Sequence, residues 1–433
     1  MEIRIKRIGW LIFLLLAFTP IIFWLPIRPI SSRFVDWQTG LTSLGQLFGL
    51  IGMAMFSLNL VLSARLKFLE GLFGGLNRIY FNHHTFGAVA FILLLFHPLF
   101  LVIKYIPFSL RAAAEFFLPS DNLAMNFGIF GLLLMMFFLI ITFYGHLAYQ
   151  RWKFMHQFLG LAFFLGSLHV LLIESDVSRS VPLKSYMLVL VALGFAGIIY
   201  RTLFSRLLVR KYPYRVKAVR ELNGAVLEIE LSANGSTMDY RPGQFIFISF
   251  SQPGISSESH PFTVSSAPSE VNLRLTIKNL GDYTGNLKKL AAGSFAYIEG
   301  PFGKFSFLAA DLKKQIWIAG GIGITPFLSM ARSLDNYTGY QIDLFYSVRT
   351  ETEAIFLTEL NMIVKKTGQL RVIPFFTDKQ GYITAEQIQK LSGLAGREIF
   401  ICGPLALMKN LKNQFDKLKI SHGLVHSEEF SLQ

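Results

Sequence analysis

Six long apolar runs fill the first half of the chain, at residues 8–26, 41–63, 80–103, 127–149, 154–173 and 184–204. Each is close to the ~20 residues that a helix needs to cross a ~30 Å hydrocarbon core. Helices satisfy their backbone hydrogen bonds internally, so such runs dictate a bundle of membrane-spanning helices. The first run is too long for the apolar region of a signal peptide, and no small-residue cleavage site follows it.

Charge sets the direction of the helices. Residues 1–212 hold 18 Lys+Arg against 7 Asp+Glu, and residues 213–433 hold 23 against 20. The net +14 therefore sits mostly in the apolar half, where the preference of Lys and Arg for the cytoplasmic side explains it; no nucleic-acid partner is implied. Arg4, Lys6 and Arg7 precede the first run, and Arg65, Lys67 and Arg78 lie between the second and third. Arg151 and Lys153 lie between the fourth and fifth, and Arg201, Arg206, Arg210 and Lys211 close the sixth. The alternate loops carry Asp36, Glu115, Asp121, Glu174 and Asp176. The expectation is a multi-pass protein of the cell membrane, in contact with the lipid bilayer, with both termini in the cytoplasm.

Composition excludes several alternatives. With 52% hydrophobic residues and 43 Phe the chain is not disordered. Its single cysteine rules out a disulfide scaffold, an iron–sulfur cluster and an all-cysteine zinc site. After Tyr212-Pro213 the texture becomes that of a soluble protein. Gln244–Phe250 and Asn272–Lys278 alternate as strands do, with Gly and Pro between them. From Gln315 onward, the apolar runs Ile316–Ala319, Ile342–Tyr346, Leu370–Phe376 and Glu398–Cys402 alternate with helix-length segments, the pattern of a parallel α/β sheet. The expected organisation is a six-helix transmembrane domain (1–212), an antiparallel β-barrel domain (213–310) and an α/β nucleotide-binding domain (311–433).

Ionisable residues inside spans are candidates for function. The third helix carries His83 and His97, and the fifth carries His156 and His169. At 1.5 Å per residue, each pair is separated by about 20 Å along its helix. Haem iron accepts axial imidazoles, so two facing helices could hold two b-type haems. Both helices run outward, which pairs His83 with His156 at the inner level and His97 with His169 at the outer. Fourteen residues fall about 40° short of four turns, which keeps His83 and His97 on one face; thirteen fall about 140° short, so His156 and His169 need a distorted helix or offset haems. His84 rivals His83, and His146 sits at the cytoplasmic end of the fourth helix.

Further motifs stand in the second half. His260-Pro261-Phe262-Thr263-Val264-Ser265-Ser266 should follow the barrel strand, and a hydroxyl such as Thr263 at a flavin edge could hydrogen-bond the redox-active ring nitrogen. In Ile277–Gly285, Lys278, Gly281 and Thr284 offer a cation, a turn and a hydroxyl that suit a pyrophosphate. Gly320-Gly321-Ile322-Gly323-Ile324-Thr325-Pro326 follows an apolar strand and opens a helix, where the backbone can approach a phosphate. Ser347 and Arg349 end a strand and could hold a ribose 2′-phosphate. Cys402-Gly403-Pro404 also ends a strand, at the edge where α/β sheets bind ligands.

Taken together, HPFTVSS, IKNLGDYTG, GPFGKF, GGIGITPF, CGP and the closing EEF resemble the NADPH oxidase/ferric reductase family, and most closely its compact prokaryotic NADPH oxidases. The third helix matches the family's His, then Gly four residues on, then His-Pro at fourteen, which selects His83 over His84. The thirteen-residue spacing from His156 to His169 is common in the family's second histidine helix. The resemblance implies that His260, Pro261, Phe262, Thr263 and Ser265 seat the FAD ring, with Lys278, Gly281 and Thr284 by its pyrophosphate. Phe430 matches the aromatic residue that stacks on the flavin where nicotinamide enters. Gly320, Gly321, Gly323, Thr325, Pro326, Gly403 and Pro404 would cradle NADPH, with Cys402 near the point of hydride transfer. Arg349 matches a position associated with the 2′-phosphate, which favours NADPH over NADH.

The function expected on this basis is electron transfer from cytoplasmic NADPH through FAD and two b-type haems to an acceptor at the outer face. The outer loops, 27–40 and 104–126, contain no dense Asp, Glu, His or Met cluster for docking a metal. That tilts the expected acceptor toward O2, giving superoxide, over a ferric chelate or a periplasmic partner protein. The histidine pairs argue against a haem-free anchor for a soluble reductase.

Overall fold

The computed structural model describes residues 2–147, 149–204 and 209–428. Arg206 and Phe430 lie outside the described residues. The chain forms two compact units, Ile3–Leu208 and Val209–Gln433.

Six helices in the first unit are long and apolar enough to span a membrane: Ile8–Ile27, Trp37–Ser63, Leu76–Ile103, Leu123–Tyr144, Gln150–Leu172 and Val181–Phe204. Leu15, Ile22, Phe137, Ile140 and Val189 on these helices are exposed, as lipid-facing residues must be. The second span is the most enclosed and packs along the third and the sixth, while the fourth packs along the fifth. Small residues allow this close approach: a Cβ on Gly52 would lie 2.8 Å from Leu94 Cγ, and one on Gly197 2.9 Å from the Leu60 carbonyl oxygen. The fourth helix ends at Tyr144, short of the apolar run, because Gly145 leaves the helical region (ψ 110°) and the chain must reverse before the fifth span begins. Among the loops, Arg33 and Asp176 form a buried ion pair at 2.9 Å. The Arg33 guanidinium also donates to the Trp24 carbonyl at 2.8 Å and lies 3.5 Å from the Trp24 ring centroid. This ties the first loop to the one between the fifth and sixth spans.

The second unit contains two sheets. The first is antiparallel, with strands β1 (Lys211–Asn223), β2 (Val226–Ala233), β3 (Phe245–Ser251), β4 (His260–Thr263), β5 (Leu273–Lys278) and β6 (Phe295–Phe302). Their order is β4-β3-β6-β1-β2-β5, and a bridge between Val264 and Leu275 joins the two edges into a barrel. Ile229, Ile246, Ile248, Leu275 and Ile298 fill its centre.

The second sheet is parallel: β7 (Lys314–Gly320), β8 (Gln341–Val348), β9 (Leu370–Phe376), β10 (Glu398–Cys402) and β11 (Val425–Glu428), in the order β11-β10-β7-β8-β9. Both faces are covered. Trp317 and Ala319 of β7 enter one core with Phe327 and Leu344; Ile316 and Ile318 enter another with Ile399 and Phe415. The two-residue alternation of a strand produces that division. All five strands run the same way, so Gly320, Ser347 and Cys402 reach one carboxyl-end edge.

Candidate functional site

The structure brings the four span histidines together as two pairs. The His83 and His156 ring centroids are 6.3 Å apart, and those of His97 and His169 are 6.1 Å apart. His84 turns elsewhere, edge-on to Phe143 at 5.6 Å. A metal–imidazole bond is about 2.0 Å and the ring centre lies about 1.1 Å behind the nitrogen, so imidazoles on opposite sides of one metal sit about 6.2 Å apart. Each pair therefore fits a single metal atom held by two axial ligands, as haem iron is. Among the described residues no three or more His, Cys, Asp or Glu converge, so a protein-only zinc cage lacks ligands. The outer pair also lines a cavity of about 360 Å³ walled by residues such as Met53, Leu94, Leu132 and Val170.

Neighbouring helices orient the rings. Nδ1–H of His83 donates to the Asn59 carbonyl at 3.0 Å, that of His97 to Gly45 at 2.7 Å, and that of His169 to Ala124 at 2.8 Å. These bonds leave Nε2 unprotonated and ready to ligate. Two glycines make room for the outer pair. A Cβ on Gly49 would lie 2.7 Å from His97 Nδ1, and one on Gly128 2.7 Å from His169 Nδ1. Each glycine stands four residues after the accepting carbonyl, so a missing Cβ opens the path to that oxygen. The sequence reading passed over both; a glycine opposite each histidine at matching depth is the signal that could have found them.

The thirteen-residue spacing is accommodated by a break. The fifth span is two helices, Tyr149–Gln157 and Leu159–Leu172, interrupted at Phe158. There Phe158 N–H bonds to Met155 O at 3.1 Å and Leu161 N–H to Phe158 O at 2.9 Å. Such i→i−3 bonds wind the chain at three residues per turn instead of 3.6, which advances each residue by about 20° more and recovers part of the 140° shortfall.

In the second unit, two of the stretches expected to seat a flavin meet. The His260 ring stacks on Tyr283 at 3.7 Å and hydrogen-bonds Glu258 at 3.0 Å. Burial, and then the nearby Glu258 charge, push the Tyr283 phenol well above its ordinary pKa. Thr263 is buried at the end of β4, and its hydroxyl has no partner among the described residues. A buried hydroxyl without a partner is costly, and a hydrogen bond to a flavin edge would satisfy it. Pro261 and Phe262 pair with Phe247 and Ile246 of β3. Ser265 plays a different part: it is fully buried, donates to the Arg274 carbonyl at 3.0 Å and accepts from Thr276 at 3.0 Å, so its hydroxyl closes the barrel. Lys278 is exposed at the end of β5. Thr284 accepts from the N–H groups of Leu280 (2.9 Å) and Gly281 (3.2 Å), shaping the turn, and Gly281 faces open space.

At the sheet edge the glycine motifs press on each other. A Cβ on Gly323 would lie 2.3 Å from the Cys402 carbonyl oxygen, one on Gly403 2.9 Å from Gly320 Cα, and one on Gly320 2.9 Å from Pro404. Gly323 and Gly403 are thus needed for backbone contact between two loops, and Gly320 for the close approach of Pro404 and Leu407. Gly321, at φ +54° with nothing within 4 Å of its Cβ position, faces open space. Thr325 donates to Ile322 O at 3.2 Å and, with Pro326, is buried at the helix start. Ser347 ends β8 opposite Gly320, and the Arg349 side chain is exposed just beyond it. Cys402 is fully buried, and burial followed by the Glu428 charge raises its thiol pKa well above normal. It is a neutral packing group at the site, not a thiolate.

One brace went unread in the sequence. The helix Thr325–Arg332, opened by the glycine loop, grips the barrel from its other end. Ser329 donates to Ser266 O at 2.6 Å and Arg332 to Ser265 O at 2.6 Å. Arg332 also holds Glu359 through two hydrogen bonds, of 2.5 and 2.8 Å. Burial alone would raise the Glu359 pKa, but the Arg332 hydrogen bonds and charge outweigh it and hold the carboxyl below its ordinary value.

The chain matches three family models in succession: a ferric reductase like transmembrane component over residues 48–167, an FAD-binding domain over 211–311 and an oxidoreductase NAD-binding domain over 317–413. It is 32% identical over 165 residues to NADPH oxidase 1 of Mus musculus, covering 35% of this chain and 27% of that protein. It is 27% identical over 209 residues to the glycine betaine monooxygenase reductase subunit of Chromohalobacter salexigens, covering 44% of this chain and 56% of that one. The chain thus spans about half or less of the length of these relatives. Among solved structures it resembles the flavohem-like FAD/NAD-binding domain of the Vibrio cholerae nitric oxide dioxygenase, with 21% identity, 50% of this chain and 97% of that one covered, and a TM-score of 0.44. A spanning bundle, a barrel and a parallel sheet, matched in that order by a transmembrane reductase component, an FAD-binding domain and an NAD-binding domain, give this multi-pass membrane chain the NADPH oxidase/ferric reductase-type architecture.

Proposed function

We propose that the protein moves electrons from cytoplasmic NADPH across the cell membrane to O2 at the outer face, releasing superoxide. The observation that carries this reading is the stack of two imidazole pairs, 6.3 and 6.1 Å apart, between the third and fifth spans of a chain that also has FAD- and NAD-binding domains. When bound, FAD converts two-electron hydride transfer into single electrons, and two b-type haems relay those through the bilayer. The protein supplies position and electrostatics. His83 with His156 and His97 with His169 would hold the haems, and the apolar walls around the outer pair keep water away. Thr263 would orient the flavin edge, with His260, Tyr283, Lys278 and Gly281 beside the rest of the FAD. Gly321 would admit the nucleotide pyrophosphate, Ser347 and Arg349 would favour the 2′-phosphate, and Cys402 with Pro404 would shape the nicotinamide pocket. Phe430 keeps its proposed stacking role from sequence. Residues 1–212, 213–310 and 311–433 would form the haem, FAD and nicotinamide domains, the latter two in the cytoplasm.

The test begins with the spectrum of the purified protein: a reducible b-type Soret band is expected, and its absence refutes the relay. With NADPH and FAD, cytochrome c reduction should fall when superoxide dismutase is added. Reduction that is insensitive to dismutase, with fast anaerobic turnover of a ferric chelate, would reassign the acceptor. His97→Ala should abolish acceptor reduction while NADPH still reduces the flavin.

A further inference from the structure

We propose that Thr142 is a positioning residue that makes the inner haem site electronically unlike the outer one. The inference rests on the two-haem reading above and deepens it. Three of the four imidazoles donate Nδ1–H to a main-chain carbonyl, at 3.0, 2.7 and 2.8 Å. Among the described residues His156 has no such carbonyl. Its Nδ1 faces the Thr142 hydroxyl oxygen at 3.4 Å.

The direction of that contact follows from the hydroxyl's other bond. Thr142 gives its proton to the Phe138 carbonyl at 2.7 Å, so toward His156 its oxygen can only accept. Nδ1–H of His156 is therefore the donor, and Nε2 is the ligating nitrogen, as in the other three rings. The bond is long, at the outer limit of hydrogen-bond geometry, and so is weaker than the three carbonyl bonds.

Thr142 is itself held on two sides. Its hydroxyl is anchored to Phe138, and its carbonyl accepts the Trp152 indole N–H at 3.1 Å. The Trp152 ring in turn stacks on His156 at 5.3 Å, nearly parallel at 15°. The position of His156 is thus specified by the fourth span through one threonine and one tryptophan.

A hydrogen bond from Nδ1–H strengthens the ring as an electron donor to its metal, which favours the oxidised metal. The outer pair has two short carbonyl bonds, whereas the inner pair has one carbonyl bond and one long hydroxyl bond. The inner site is therefore the easier of the two to reduce, and the Thr142 hydroxyl sets how large that difference is.

The experiment is a potentiometric titration of the full-length, haem-loaded protein, followed at the haem α-band. Haem content is measured in parallel. The native protein should titrate in two waves. Thr142→Val removes the acceptor at similar volume and should move one wave to higher potential while the other stays in place; Thr142→Ser keeps the hydroxyl and should reproduce the native waves. Thr142→Ala is a second hydroxyl-free variant, for use where valine crowds the site. Loss of one haem from both hydroxyl-free variants, with Thr142→Ser fully loaded, also supports the positioning role. Unmoved waves in a fully loaded Thr142→Val or Thr142→Ala protein overturn it, as does an equal shift of both waves. A native protein without b-type haem absorption would instead refute the two-haem reading on which the inference stands.

Discussion

Replacing Gly49 by alanine should empty the outer haem site and leave the inner one filled. The added Cβ would lie 2.7 Å from His97 Nδ1 and 3.0 Å from Cε1, where ordinary contact begins near 3.4 Å. The imidazole must therefore retreat by about 0.7 Å, whereas metal coordination tolerates about 0.2 Å. Retreat also loosens the 2.7 Å bond to Gly45 O, and loss of such supporting bonds typically lowers metal affinity by about 10–100-fold. The assay is a pyridine haemochrome count against protein, which should fall from about two haems per chain toward one, with NADPH still reducing the flavin. Gly71→Ala is the control: nothing lies within 4 Å of its Cβ, so haem content should not change. Two haems per chain in Gly49→Ala, with native spectra, would refute the argument that this glycine exists to admit the histidine.

Four further outcomes are expected. Gly323→Ala puts a Cβ 2.3 Å from the Cys402 carbonyl oxygen, so it should part the two loops and raise the KM for NADPH at least ~10-fold while FAD stays bound; an unchanged KM contradicts the loop contact. Thr263→Val should weaken FAD binding by about 0.5–1.5 kcal/mol, roughly 2- to 12-fold by fluorescence titration, with Thr263→Ser close to native. Glu359 has a folded-state pKa below its unfolded value, so its contribution is complete above the unfolded pKa and is lost as pH falls through the folded one. Acid melts should accordingly show the native protein losing more stability than Glu359→Gln as pH drops below the usual carboxylate range, and parallel curves would discount the ion pair. The Cys402 thiol, buried and with a raised pKa, should resist alkylation until the protein unfolds; rapid labelling of the native state would contradict its burial.

The spans and the two sheets were legible because each leaves a periodic or local mark. Hydropathy over ~20 residues reports a membrane crossing whatever its neighbours are. Strands β7, β8, β9 and β10 coincide with apolar runs because both faces of their sheet are buried. Function assigned to single side chains was less legible. The motif gives Gly320 and Gly323 a phosphate approach and Gly403 a place in the NADPH cradle, but the close packing of Gly323 on Cys402 and of Gly403 on Gly320 is a long-range contact that spacing does not encode. Ser265 sits within a cofactor-like motif, but its partners Arg274 and Thr276 lie on the strand beside it. Arg332 gave no signal, because a charged residue at the end of a helix is ordinary until its partners are known.

The helix Thr325–Arg332 has a mechanical consequence. Its first residue follows the 320–323 loop, and its last is bonded to Ser265 in the segment just after β4. Eight residues at about 1.5 Å each make a strut of about 12 Å between the glycine loop and the segment after β4. The helix is therefore a gauge block, and inserting one residue would turn Arg332 by about 100° away from Ser265. With Thr325 through Ala331 buried, a change in its length cannot be absorbed by sliding along the surface.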